Sequence, residues 1–447
     1  MKKPKLNLIV FSVMIVVFFT FPFFGANVLR LPKIENNNLY ISKQTHNTTT
    51  ESVYLLDQTQ YIEKFAFSNN TQNGFNSGTG QKSELEKELE KNTSDQLNLI
   101  DVSAMQALID GLSEENKNLF GKASATEKIK QILSGDFKMF GDNAFKAVIN
   151  MVFSSFAALV PLMASIVAIG VLSGMLNQMR SKQNGKSLGD IIHFVCYGLI
   201  LVLITSSVYK LLNLASSSLA TIKGLIDAIF PILLTLLTAV GGSVSASVYQ
   251  PAVALLSGSV LQVFNNVLVP IFIFSFVFSI ISNFSVGIKL EKFTSFFNSL
   301  FKWIVGSVFT VFMAFITIQG LTAGSFDGIS IKTAKFAMKS SIPIVGGYLA
   351  DGFNLIIASS VLIKNAIGVS GLILLFLNVL SPIIAIVVFS LFCKLTASIL
   401  EPLTDGRISN FLFGVSKTLT QLLAILIAVT FMFLILTSLV MFSANFI

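Results

Sequence analysis

AIFPILLTLLTAVGGSVSASVYQPAVALLSGSVLQVFNNVLVPIFIFSFVFSIISNFSVGI, residues 228–288, runs for 61 positions without a formally charged side chain. A helix needs ~20 apolar residues to cross ~30 Å of hydrocarbon. The stretch therefore exceeds two crossings and is tight for three. Gly241-Gly242, Pro251, Asn265-Asn266 and Pro270 interrupt it, and the piece from Pro251 to Val263 is shorter than a crossing. That pattern predicts a broken helix or a re-entrant segment, which a membrane tolerates only where protein or a water-filled cavity covers the irregular backbone. These six residues are the candidate pathway or helix-break positions; if they line a pathway, a bulky residue at Gly242 blocks function with the protein inserted and abundant, whereas loss of abundance points to packing.

Working outward, the same character extends over most of the chain. Of its 447 residues 53% are hydrophobic and 12% charged, with a mean hydropathy of +0.76, against about 25% charged in soluble domains. Sixteen of the 23 acidic residues precede position 147, so the remainder of the chain is net +8 while residues 28–145 are net −4. Basic residues favour the short cytoplasmic loops of membrane proteins, which explains the pI near 9.3 without nucleic acid. Further crossings are expected at Ala147–Leu176, Ile191–Tyr209, Trp303–Ala323, Ala366–Cys393 and Thr418–Phe442. The expected total is about seven, within a range of six to eight. If the Pro251–Val263 piece does not cross, Lys289, Lys292 and Lys302 lie outside and Lys332, Lys335 and Lys339 inside; if it crosses, the two clusters swap. In the first crossing, Gly170-x-x-x-Gly174 lets another helix approach closely.

Ahead of the membrane domain (146–447) lie three regions. Residues 1–26, with Lys2, Lys3 and Lys5 before the apolar run Leu8–Phe24 and then Gly25-Ala26, have the layout of a signal peptide or an uncleaved signal anchor. Residues 27–82, rich in Asn, Thr, Ser and Gly, are too poor in apolar residues to offset the entropy of ordering and read as a disordered polar linker. Residues 83–145 open with the capping box Ser83-x-x-Glu86 and carry apolar residues at helical spacing (Leu97, Ile100, Met105, Leu108, Ile109, then Ile129, Ile132, Leu133). They read as extracytoplasmic amphipathic helices, either capping the membrane domain or docking a partner. The fold class is an all-α polytopic membrane protein.

A charge at the bilayer centre costs at least ~2.5–3.5 kcal/mol, so ionisable residues in apolar stretches are functional candidates. Here they are Lys223 and Asp227, at ion-pair spacing on a helix, with Lys335, Asp351, Lys364 and Glu401. Cys196 and Cys393 belong to no CxxC pair, and His46 and His193 lack metal-ligand spacing. No phosphate-binding GxxxxGK[ST], HExxH or GxSxG occurs. These absences predict no enzyme, no cofactor and no metal; any energy comes from another subunit.

From Gly241 on, the sequence resembles the stage III sporulation protein AE (SpoIIIAE) family. The resemblance is carried in order by Gly241-Gly242-Ser243-Val244-Ser245-Ala246 with Pro251, and by Asp327-Gly328-Ile329 with Lys332-Thr333-Ala334-Lys335-Phe336. Ile342-Pro343-Ile344-Val345-Gly346, Asp351 and Ser359-Ser360 follow. Leu362-Ile363-Lys364-Asn365 with Gly368 and Gly371, and Ile399-Leu400-Glu401-Pro402-Leu403, complete it. Two features depart from the pattern: the long polar lead-in 31–82, and Lys332 where the family has Arg, which keeps the charge but loses bidentate contact.

The resemblance implies a membrane subunit of the mother cell–forespore channel complex (SpoIIIA–SpoIIQ type) needed for endospore formation and late forespore gene expression. It would sit in the mother-cell membrane facing the forespore. The implied partners are other stage III sporulation membrane proteins, including an ATPase and ring-forming subunits, together with membrane lipid and no nucleic acid. The residues alone leave two rivals: a stand-alone secondary transporter, and a purely structural membrane anchor.

Overall fold

The computed structural model describes residues 84–112, 116–117, 123–135, 142–180, 186–284, 290–341, 345–404 and 406–443. The signal segment 1–26, the linker 27–82, Ser83 and His46 lie outside them. Within the chain, Leu89–Ile447 forms one unit.

The described residues are helical throughout and contain no strand. Three short helices come first: α1 (Glu84–Asn98), α2 (Ser103–Asp110) and α3 (Ala125–Leu133). Ser124 caps α3 by accepting from the Glu127 amide, a Ser-x-x-Glu start of the kind that satisfies otherwise orphaned N–H groups. Long helices follow: α4 (Asp142–Arg180), α5 (Lys186–Ala239), α6 (Ser243–Ala254), α7 (Val269–Phe284), α8 (Glu291–Ser341), α9 (Val345–Leu400) and α10 (Arg407–Phe442). Among the described residues, six stretches are long and apolar enough to cross a membrane, with Ser243–Asn283 counting as one.

That stretch corrects the expectation of a re-entrant piece. Between α6 and α7 the chain stays helical, through a π-helical Leu255–Val260, a short α turn Leu261–Val263 and a π-helical Phe264–Leu268. The irregular backbone is there, but as π turns, which frequently mark functional sites. Pro251 sits inside α6 without ending it. The sharp break falls earlier, at Gly241, whose φ of +93° is open to glycine and strained for other residues. There the chain reverses and α6 returns along α5. The count is accordingly six, at the low end of the expected range.

α9 and α10 form the centre. They run antiparallel from the turn at Gly406 (φ +80°), and each is buried on most of its circumference. Their contact is sewn by polar bonds at intervals. Ser409 donates to the Ala397 carbonyl at 2.9 Å, Ser390 and Ser416 share a 2.8 Å hydroxyl contact, and Lys364 donates to the Ser443 carbonyl at the far end. α5 packs antiparallel on α9: Asn378 donates to the Ser218 carbonyl and hydroxyl at 3.1 Å, Ile229 faces Gly371, and Val240 clusters with Ile357. The Tyr197 hydroxyl of α5 donates to the Ile280 carbonyl of α7 at 2.9 Å, and its ring leans on Phe411 of α10.

These contacts gather the end of α4, the start of α5, the end of α7, the start of α8, the end of α9 and the start of α10 at one end of the bundle. Arg180, Lys292 and Arg407 therefore share that end, called here the basal end. Lys332, Lys335 and Lys339, late on α8, belong to the opposite one. The Lys292 and Lys332 clusters, whose sides the sequence left open, therefore lie at opposite ends of the bundle, with Arg180 at the Lys292 end.

The short helices cap the opposite end. Gln96 of α1 donates to the Ile356 carbonyl at 3.5 Å and accepts from Ser360 at 2.9 Å; Asn116 donates to the Leu377 carbonyl at 3.0 Å; and Leu108 of α2 lies against Gly224 of α5. Leu97, Met105 and Ile129 are buried in this cap. The amphipathic spacing thus serves packing on α5 and α9.

Gly170 and Gly174 give α4 its close approach, with Leu400 over the first and the Leu403 carbonyl over the second. A Cβ at Gly174 would overlap that carbonyl, and backbone cannot rotate away as a side chain can. Overpacking of this kind costs about 1–3 kcal/mol. Gly174→Val is expected to lower the thermal midpoint of the purified protein in detergent, while Gly198→Val, where a Cβ meets open space, leaves it close to wild type.

Candidate functional site

The candidate positions divide by burial. Gly242 is buried, and a Cβ there would lie 2.6 Å from Leu237 Cδ1 and 3.0 Å from the Leu237 carbonyl. It packs within the α5–α6 turn. Pro270 is half-buried, whereas Pro251, Asn265 and Asn266 are exposed. With Ser243, Ser247, Gln250, Ser259 and Gln262, also exposed, they make a polar face along α6 and the π turns. Within each π turn an i+5 bond inserts an extra residue, altering the helical phase at Leu255–Val260 and again at Phe264–Leu268.

The adjacent outer face of α5 is also polar. Lys223 and Asp227 form the expected ion pair at 2.7 Å, both half-exposed. The other Asp227 oxygen accepts from Ser257 at 2.5 Å, so this carboxylate ties α5 to the first π turn. A surface pair is worth little by itself; its value here is the cross-helix bond.

Lys364 differs from them. It is fully buried and donates to the Ser443 carbonyl, placing a cation where the last carbonyls of α10 lack helical partners. Ser443 in turn donates from its hydroxyl to Tyr249 Oη of α6 at 3.0 Å, and Tyr249 stands beside Gly320 of α8. One buried cation thereby joins α6, α9 and α10. Glu401 is exposed in the α9–α10 turn. Lys335 lies on α8 and Asp351 on α9, where only the helical backbone is described, and the same holds for His193 on α5.

Sequence reading missed a second polar link near the basal end. Gln421 of α10 donates to Asn298 of α8 at 2.5 Å and to Ser275 of α7 at 3.4 Å, all three buried. Uncharged amides raise no alarm in a hydropathy scan. Their only signal was an amide or hydroxyl set among apolar neighbours within a membrane helix. Among the described residues no group of three or more His, Cys, Asp or Glu is placed to hold a metal.

The fold and its buried polar links define a polytopic α-helical membrane bundle whose buried polar groups join helices. Residues 123–444 match the family model for stage III sporulation protein AE (spore_III_AE). The chain belongs to that family and is a multi-pass membrane protein. Over 317 residues it is 25% identical to "Stage III sporulation protein AE" of Bacillus subtilis (strain 168), covering 71% of this chain and 79% of that protein. No solved structure matches it.

Removing the buried donor tests the Lys364 link. Losing a hydrogen bond from a charged group costs about 1.5–3 kcal/mol. Lys364→Met is expected to lower the thermal midpoint in detergent clearly, and Tyr249→Phe, which only removes a hydroxyl contact, to lower it less. A wild-type midpoint for Lys364→Met would show that the link carries no stability.

Proposed function

We propose that this protein is a non-enzymatic membrane subunit of the mother cell–forespore channel complex required for endospore formation. In this reading it sits in the mother-cell membrane and serves as the platform beneath ring-forming partners, with an ATPase elsewhere in the assembly supplying energy. The observation that carries it is the family match over residues 123–444, laid onto a bundle whose central hairpin is packed with side chains. A filled centre favours a platform: if material passes, it passes between subunits. The cap helices α1–α3 support the same reading, because they pack against the upper parts of α5 and α9, away from the basic loops. Positive-inside places those loops, with Arg180, Lys292 and Arg407, in the cytoplasm.

Deletion of the coding sequence in the source organism tests it, scored by microscopy and by late forespore reporters. The expected result is arrest after engulfment with those reporters silent, restored by the wild-type copy. Normal spore yield would overturn the assignment. Gly242→Trp is expected to fail in complementation through loss of protein abundance, because Gly242 is buried; normal abundance with no function would place it on a pathway wall.

A further inference from the structure

The helices of this bundle are too long for the bilayer they cross. Phe194–Ala239, Ser243–Asn283 and Gly352–Leu400 run 46, 41 and 49 residues, roughly 69, 62 and 74 Å at 1.5 Å per residue. Hydrocarbon is ~30 Å thick. Fitting even the shortest inside it requires a tilt above ~60°, whereas membrane helices tilt by about 0–40°.

Side-chain exposure shows where the excess lies. On α5 the exposed residues from the basal end are Ile191, Phe194, Val195, Leu199 and Val202; then come Thr205, Ser206, Tyr209 and Lys210; beyond them stand Asn213, Ser217, Lys223, Asp227, Thr235 and Thr238, with only the small Ala220, Pro231 and Ala239 among the apolar. The outward face changes from apolar to polar within about two turns. On the antiparallel α6–α7 rod the same change occurs at Asn266-Val267, with Val267, Ile273, Phe274 and Val277 exposed below and Asn266, Asn265, Gln262, Ser259, Gln250, Ser247 and Ser243 exposed above, Leu255 being the one large apolar residue exposed among them. The two helices touch at Tyr197–Ile280. From that contact Lys210 is 13 residues up α5 and Asn266 is 14 residues up the rod, about 20 Å in each case. Two helices of opposite direction thus switch at one height. The apolar bands, 20 residues from Ile191 to Lys210 and 18 from Val267 to Phe284, measure about 30 and 27 Å, one hydrocarbon thickness.

The outward faces of the remaining helices are more mixed: Phe336 and Ile356 are exposed above the line, and Lys302 and Lys417 are exposed below it. α4, whose exposed face from Val152 to Leu176 is apolar but for Ser154 and Ser165, meets the base of α9 at Gly170 and Gly174. Lys223–Asp227 stands above the line, where an exposed pair avoids the cost of charge in hydrocarbon. On α8, Val311 and Ile318 are exposed near or above it; single apolar residues on a wetted surface are ordinary.

We infer that the bilayer covers only the basal half of this bundle, up to the level of Lys210 and Asn266, and that the distal half stands in water as a helical turret. From about residue 380 to Val345, α9 alone rises roughly 50 Å above the line. The turret includes Gly241-Gly242, the π-helical Leu255–Val260, the Lys364–Ser443–Tyr249 link and the cap helices α1–α3. The inference stands on helix length and exposure and is independent of the channel reading.

Tryptophan quenching by brominated lipid tails tests it, using full-length protein reconstituted in phosphatidylcholine bilayers. Trp303, the single tryptophan, is first replaced in Trp303→Phe. Single tryptophans are then introduced at exposed positions, so that folding is little disturbed: Val202→Trp and Phe274→Trp below the line, Ser217→Trp, Gln250→Trp and Ile318→Trp above it. The expected result is strong quenching of the first two and several-fold weaker quenching of the other three, with the order reversed for aqueous iodide. Strong lipid quenching at all five would overturn the inference. So would quenching of Ile318→Trp with Ser217→Trp and Gln250→Trp spared, since that pattern describes a bundle wholly inside the bilayer with one wetted face.

Discussion

The α9–α10 hairpin is the contact on which the other helices depend. Two long apolar helices in lipid gain little from hydrophobic burial against each other, because lipid tails are as apolar as their side chains. Close packing and hydrogen bonds must hold them. The hairpin has both: Gly368 lies under Met441, and hydroxyl or ammonium donors meet backbone carbonyls from Ser409 at one end to Lys364 at the other. Every such bond fixes the register of α10 on α9. α5, α7 and α8 then bind a surface already set, through Ser218–Asn378, Tyr197–Ile280 and Gln421–Asn298.

This arrangement explains the placing of polar groups inside the bundle. Each buried amide, hydroxyl or ammonium described above sits where two or three helices meet. A donor and acceptor left apart in a low-dielectric interior would each carry a desolvation penalty; together they specify which helices are neighbours. The same reasoning separates the candidate charges. Lys223 and Asp227 pair on an exposed face and reach across to Ser257, so they orient α5 against α6. Lys364 is enclosed and closes the end of α10.

Function follows from the shape of the outside. The membrane-level surface is apolar on α4, α5 and α7 and suits lipid, whereas the upper faces of α5 and α6 offer hydroxyls and amides. A bundle built this way presents a polar face of hydroxyls and amides along the upper parts of α5 and α6, beside the charged helix α1. That is the surface a ring-forming partner would meet in the proposed assembly. The packed hairpin at its axis directs attention to boundaries between subunits.

Composition and spacing alone determined that the chain is a helical membrane protein. They also determined that apolar residues recur at helical spacing in Glu84–Asn98, Ser103–Asp110 and Ala125–Leu133, that Lys223 and Asp227 pair, and that Gly170 and Gly174 admit a close neighbour. Each of these depends on local periodicity or on the free energy of charge in hydrocarbon. The ordered words from Gly241 to Leu403 were enough to place the chain in its family. Only the tertiary structure decided that Gly242 is buried while Asn265 and Asn266 are exposed, and that Pro251 lies within a continuing helix. It also decided that Gln421, Asn298 and Ser275 meet, and at what height the outer faces change character. Hydropathy averages a helix around its whole circumference. Which side faces lipid, water or protein depends on where its neighbours stand, and long-range packing sets that.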